Sequence, residues 1–128
     1  MRLLLDTHAL IWWFLDSPSL SPPARKAIGT DIGPIFVSAV SAFEISNKVR
    51  LGKLDQAASL DEAFEDFVVN QKFVPLSIGV KVARMAGALP IPHRDPFDRL
   101  LIAHALVDDL VLISNEVVFD QFGVQRLW

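Results

Sequence analysis

Cysteine is absent from the 128 residues, so no disulfide can form. Histidine is scarce, three in all, and His93 and His104 are too isolated to make a histidine metal site. There is no basic excess either: 12 Lys and Arg against 15 Asp and Glu give a net charge of −3 and a pI near 5.5. That balance argues against a broad basic surface for nucleic acid and leaves only a local cluster, helped by cations that cancel acidic groups. No apolar run is long enough to cross a bilayer. Asp6 interrupts the apolar start and no small-residue cleavage site follows, so a cytosolic protein is expected, without membrane attachment. Repeats, low-complexity tracts and linkers are missing as well, which leaves one compact domain over residues 1–128, long enough to bury a core.

What is abundant is apolar side chain, 52% of the residues, part of which is expected to meet another chain. Leu3-Leu4-Leu5, Ile35-Phe36-Val37, Phe73-Val74 and Leu110-Val111-Leu112-Ile113 are short continuous apolar runs, the pattern of strands covered on both faces. Helical stretches lie between them. Thr7 to Leu15 follows the first strand, and Ser21-Pro22-Pro23 caps and opens a helix that runs through Ile28 to a stop at Gly29. Val40 to Leu51 ends at Gly52, and Leu60 to Asn70 starts on Asp61 and Glu62. Gly79 to Ala88 precedes the Leu89-Pro90-Ile91-Pro92 break, and Pro96 to Val107 forms the last helix. Strands alternating with helices predict an α/β fold, a parallel sheet flanked by helices with right-handed crossovers.

The run His93-Arg94-Asp95-Pro96-Phe97-Asp98 carries the most chemistry. The helix stripe at 98, 101, 102 and 105 reads Asp, Leu, Ile, Ala, one charge heading an apolar face. Such an Asp needs a partner, and no Lys or Arg lies one turn further on, which leaves a backbone cap, a distant side chain or a metal ion. Ligands in open parallel sheets sit outside the carboxyl ends of the strands. Asp6 follows the first strand, Ser38 the second with Glu44 further on, and Ser114-Asn115-Glu116 the fourth. Asp98 heads the helix that leads into that fourth strand and falls on the same side. Four acids from remote parts of the chain thus converge on one edge, tolerable only with cations present, and hard oxygen donors favour Mg²⁺ or Mn²⁺.

Plainer readings exist for each residue. Asp6 suits the N-cap of the helix from Thr7, Asp95 the N-cap before Pro96, and Glu44 can pair with Lys48 at i, i+4. Glu116 reads as a loop carboxylate and His104 as a packed helix residue. Trp12-Trp13-Phe14 reads as core or interface, because a base-stacking platform comes with basic neighbours and this segment has none.

Taken jointly, Leu4-Leu5-Asp6-Thr7-His8-Ala9-Leu10, Val37 to Ile45, His93 to Ala103, Leu112 to Glu116 and the closing Gly123 to Trp128 resemble the PIN domain, specifically the VapC toxins of bacterial toxin-antitoxin pairs. The resemblance runs in order along essentially the whole chain. It implies a three-layer α/β/α sandwich around a parallel sheet, an acidic pocket for a divalent metal, endonucleolytic cleavage of RNA, dimerisation, and neutralisation by a VapB-type antitoxin. Asp6, Glu44 and Asp98 match the family's acidic core, and Glu116 stands where the fourth acid is usually Asp, one methylene shorter.

The residue types suit metal-assisted phosphodiester hydrolysis, which needs no histidine base. Thr7 and Ser38 are candidates to orient the ligands by hydrogen bonds, while His93, Arg94 and Arg99 are candidate phosphate contacts, Arg99 foremost from its place beside Asp98. Two rivals stand beside this reading. An aspartyl-phosphate phosphotransferase of haloacid-dehalogenase type would carry a second Asp two residues after Asp6, where this chain has His8. The other is a PIN-like binding module without catalysis.

Overall fold

The computed structural model describes residues 1–30 and 33–128. Among these residues five strands, all parallel, form one sheet: β1 (Leu3–Leu5), β2 (Ile35–Ser38), β3 (Val74–Leu76), β4 (Val111–Ile113) and β5 (Gln125–Leu127), in the spatial order β3-β2-β1-β4-β5. The helices are α1 (Thr7–Phe14), α2 (Pro22–Gly29), α3 (Ala39–Arg50), α4 (Ala58–Glu62), α5 (Phe64–Asn70), α6 (Val80–Ala88) and α7 (Pro96–Asp108), with short 3₁₀ turns at Asp55–Ala57 and Val117–Phe122.

Alternation along three-residue strands builds the layers. Leu3 and Leu5 point into a core shared with Leu10, Ile11, Ile28, Ile45 and Leu60, whereas Leu4 points to the opposite face, with Leu101, Ile102, Leu112 and Phe119. Each face therefore carries its own helical layer, and the three-layer α/β/α sandwich follows. Leu4 and Leu5 are fully buried, which is why β1 reads as an unbroken apolar run.

Two expectations from sequence need correction. The stretch 60–70 is not one helix: the backbone leaves helical geometry at Ala63, φ −121° and ψ 31°, and splits it into α4 and α5. The sheet has five strands rather than four, because Gln125–Leu127 adds an outer strand on β4. Its polar, partly exposed residues show none of the continuous apolar pattern that marks the others.

Most boundaries obey local chemistry. Ser21 Oγ accepts from Ala24 N, Ser38 Oγ from Val40 N, and Asp95 Oδ1 from Phe97 N and Asp98 N, each a side-chain cap on an orphan amide. The end of α3 is closed by Gly52 at φ +72°, with Gly52 N donating to Val49 O and Lys53 N to Lys48 O. A left-handed residue there costs glycine nothing and fixes the last turn, the one that carries Lys48. No helix of the described residues is long and apolar enough to cross a membrane.

Candidate functional site

The chain builds β1, β2 and β3 to one side and then crosses back to place β4 against the other edge of β1. The order reverses at β1, so a crevice opens beyond the carboxyl ends of β1 and β4. Asp6 leaves β1 there, and Ser114 leaves β4.

Asp6 is the N-cap of α1, and its carboxylate is buried at 5% exposure. Oδ1 accepts from His8 N at 2.9 Å and Oδ2 from the Ser114 hydroxyl at 2.5 Å. Burial nevertheless drives its pKa up; those two hydrogen bonds and His8 oppose the rise, and the field of Glu44 adds to it.

Glu44 follows from the register of α3, which places its side chain inward with Val40, Ser41 and Ile45. The i, i+4 partner proposed from sequence is there, Lys48 Nζ at 2.5 Å from Oε2, but Glu44 itself is buried, at 7% exposure, while Lys48 is partly exposed. The same ammonium sits 5.9 Å from the centre of the Phe97 ring.

Asp98 lies in the first turn of α7, half-buried. Its partner is none of the three expected but a near neighbour in the same run, His93, five residues earlier, whose Nε2 approaches Oδ2 to 2.7 Å. Burial pushes the Asp98 carboxyl up to about 6 against the His93 hydrogen bond, and Asp95 and Asp6 raise it further.

Asp6 thus feels both Glu44 and Asp98. The fourth acid stands apart. Glu116 is exposed, and its backbone N, not its carboxylate, joins the network by donating to Ser114 Oγ at 3.0 Å. Each of the three inner carboxylates is held by its own local partner, and no three acidic or histidine side chains among the described residues already stand at metal-ligand spacing. The donor set still suits a hard divalent ion: burial disfavours the charged forms of the Asp6 and Asp98 carboxylates, a cost that a cation would remove.

The remaining sequence candidates divide. Thr7 Oγ1 hydrogen-bonds Ser41 Oγ at 2.9 Å, tying the helix after Asp6 to the helix that carries Glu44. Ser38 and Asp95 are helix caps, and Arg94 is exposed. Arg99, the foremost phosphate candidate, is otherwise employed. Nε donates to Ala86 O, Nη1 to Ile91 O and His93 O, and Nη2 to Gly87 O and Leu89 O. All five donors of the guanidinium are spent on backbone carbonyls, so a free fork for phosphate does not exist. The spacing of Arg99 from Asp98 suggested a shared ligand; the Pro-rich connector before α7 claims the arginine instead.

Ser114, which the sequence places after the fourth strand, and Ser41 make polar contacts to which the motif reading gives no role. The position of Ser114 directly after an apolar strand was the available signal, since any residue there faces the end of the neighbouring strand. The Trp12-Trp13-Phe14 segment packs against the core as partly buried side chains: Trp12 lies between His8 and Trp128, Trp13 Nε1 donates to Gln71 Oε1 at 2.9 Å, and Phe14 meets Phe67 edge-on.

The chain is 29% identical to Ribonuclease VapC22 of Mycobacterium tuberculosis over 114 residues, 88% of this chain and 85% of that one. Its fold is similar to that in VapBC2 from Rickettsia felis bound to a promoter DNA fragment, with a TM-score of 0.71 and 16% identity over 99% of this chain and 98% of that one. DNA-bound VapBC from Salmonella typhimurium superposes with a TM-score of 0.71 and 18% identity, over 99% and 97%. At those identities the likeness to the solved structures is one of fold. The PIN domain family matches residues 3–124, from the first strand to the turn before the last, and the chain belongs to that family.

Proposed function

We propose that this protein is a metal-dependent endoribonuclease, the VapC-type toxin of a toxin-antitoxin pair. The observation that supports the reading is that Asp6, at the sheet's reversal point, feels the fields of Glu44 and Asp98, while burial first and neighbouring acids next raise the pKa of the Asp6 and Asp98 carboxyls. Such an arrangement costs stability unless a cation compensates it. Asp6, Glu44 and Asp98 would hold Mg²⁺ or Mn²⁺, with Glu116 reaching in from the rim. When bound, the ion supplies Lewis acidity for phosphodiester hydrolysis.

The protein's own residues do the orienting. Ser114 and the His8 amide fix the two oxygens of Asp6, His93 fixes one oxygen of Asp98, and Lys48 does the same for Glu44. An aspartyl-phosphate mechanism is poorly served, because the position two residues after Asp6 is His8, its ring tilted against Trp12 at 5.6 Å between centres, rather than a carboxylic acid.

Partners follow from the same reading: RNA as substrate, a VapB-type antitoxin as inhibitor and a second copy as dimer mate. Exposed apolar side chains such as Phe43 at 63% and Val69 at 70% leave surface for such contacts. The decisive experiment incubates purified protein with single-stranded RNA in Mg²⁺ or Mn²⁺, with and without chelator. Cleavage lost on chelation and in Asp6→Asn is expected; cleavage that survives both overturns the reading. Light scattering reads the dimer, and a monomer at micromolar concentration rejects it.

A further inference from the structure

Asp98 and Arg99 are adjacent in sequence and opposite in task. The side chain of Arg99 reaches back to five carbonyls in the order 86, 87, 89, 91 and 93. The first two belong to the final turn of α6, whose carbonyls have no partner within the helix, so the guanidinium caps α6 from another helix and places a cation at its negative end. The last three line the Leu89–His93 connector, where Pro90 and Pro92 deny the backbone amides that would otherwise tie it down. At the end of that path stands His93, with its carbonyl 2.7 Å from Arg99 Nη1 and its imidazole Nε2 2.7 Å from Asp98 Oδ2. His93 is steadied on its other side by Phe122, 5.7 Å between ring centres.

We infer that Arg99 is the positioning residue of the Asp98 carboxylate: it templates the α6–α7 connector so that His93 arrives at Asp98 in one orientation. The functional consequence rests on the metal-site reading of Asp98 above. A lysine cannot substitute, since one ammonium has three donors and no planar fork to span five carbonyls.

The test uses the full chain as Arg99→Lys, His93→Ala and the double variant. Mn²⁺ affinity by calorimetry is expected to fall about tenfold or more in each single variant, the usual loss when a ligand's supporting hydrogen bond is removed. The double variant should lose no more than the worse single one, because both act on one path. In parallel, the ¹⁵N spectrum of the His93 imidazole in metal-free protein reports its hydrogen bond to Asp98, and that signature should vanish in Arg99→Lys. Unchanged Mn²⁺ affinity with a raised KM for RNA would make Arg99 a phosphate contact and overturn the proposal. So would additive losses, which make Arg99 and His93 independent of one another, or an Arg99→Lys that no longer folds, which assigns Arg99 a global structural role. If the wild-type protein binds no Mn²⁺, the metal reading fails by itself, and the His93 spectrum still decides whether Arg99 sets the Asp98 contact.

Discussion

Ser114 donates its hydroxyl proton to Asp6 Oδ2 over 2.5 Å and joins two residues 108 positions apart in the chain. The pairing exists because Leu5 and Ile113 are in register across β1 and β4, so the residue after each strand faces the other. Ser114 Oγ also accepts from Glu116 N, making one hydroxyl the hinge between the buried acid and the rim.

Removing that hydroxyl leaves a buried carboxylate oxygen short of a donor, a loss of about 1–3 kcal/mol. Ser114→Ala is expected to lower stability by that amount in urea denaturation at pH 7.5, and by less at pH 4.5, because a carboxyl whose pKa burial raises is more protonated at the lower pH and its protonated form needs fewer donors. An unchanged midpoint at both pH values would show that the hydrogen bond contributes nothing.

The pH dependence of Asp98 has a definite sign. Its folded pKa, about 6, lies above the unfolded value of 3.8, so its contribution to stability is fully present below 3.8 and is lost as pH rises through 6. Metal-free protein should therefore gain stability relative to Asp98→Asn when the pH is lowered from 7.5 to 4.5. Thermal melting of the pair across that range measures the difference, and parallel curves would contradict the raised pKa.

His104 works against that trend. It is fully buried in α7, neither ring nitrogen has a hydrogen-bond partner among the described residues, and burial holds its pKa below the usual value. A depressed histidine costs stability as pH falls below the unfolded value of 6.5. His104→Leu removes both the unpaired nitrogens and this acid limb, and should raise stability by about 1 kcal/mol at pH 7 with a larger gain at pH 5. A chemical denaturation series settles it; destabilisation would mean that the imidazole is satisfied by buried water.

Glu116 gives the sharpest test of the acidic set. Exposed and without a side-chain partner among the described residues, it should tolerate Glu116→Gln within about ±0.5 kcal/mol of stability. Mn²⁺ affinity should fall in this variant, though less than in Asp98→Asn. A calorimetric titration indistinguishable from wild type would reduce the set to Asp6, Glu44 and Asp98.

Much of this arrangement was legible before any coordinates. The doubly covered strand Leu3–Leu5 announced a parallel sheet, and residues leaving strand ends marked the crevice. Caps at Ser21 and Asp95 were readable because capping is local. What escaped was non-local or weakly patterned. β5 is stabilised by pairing with β4 rather than by its own apolar content, and the break at Ala63 interrupts a segment whose composition suits one helix. Arg99 escaped for a physical reason: sequence adjacency to Asp98 says nothing about direction, and one step along a helix turns the next side chain by about 100°.

The placement of β1 at the centre of the sheet bears on how the protein is made. A ribosome delivers Asp6, Glu44 and Asp98 before it delivers residues 111–127, so a nascent chain can hold all three acids while β1 still has an open edge and Asp6 still lacks Ser114. Closure of the sheet, a long-range pairing and therefore a late one, is the event that completes the crevice. Interrupted translation products that stop before β4 would carry the acidic residues without the assembled crevice.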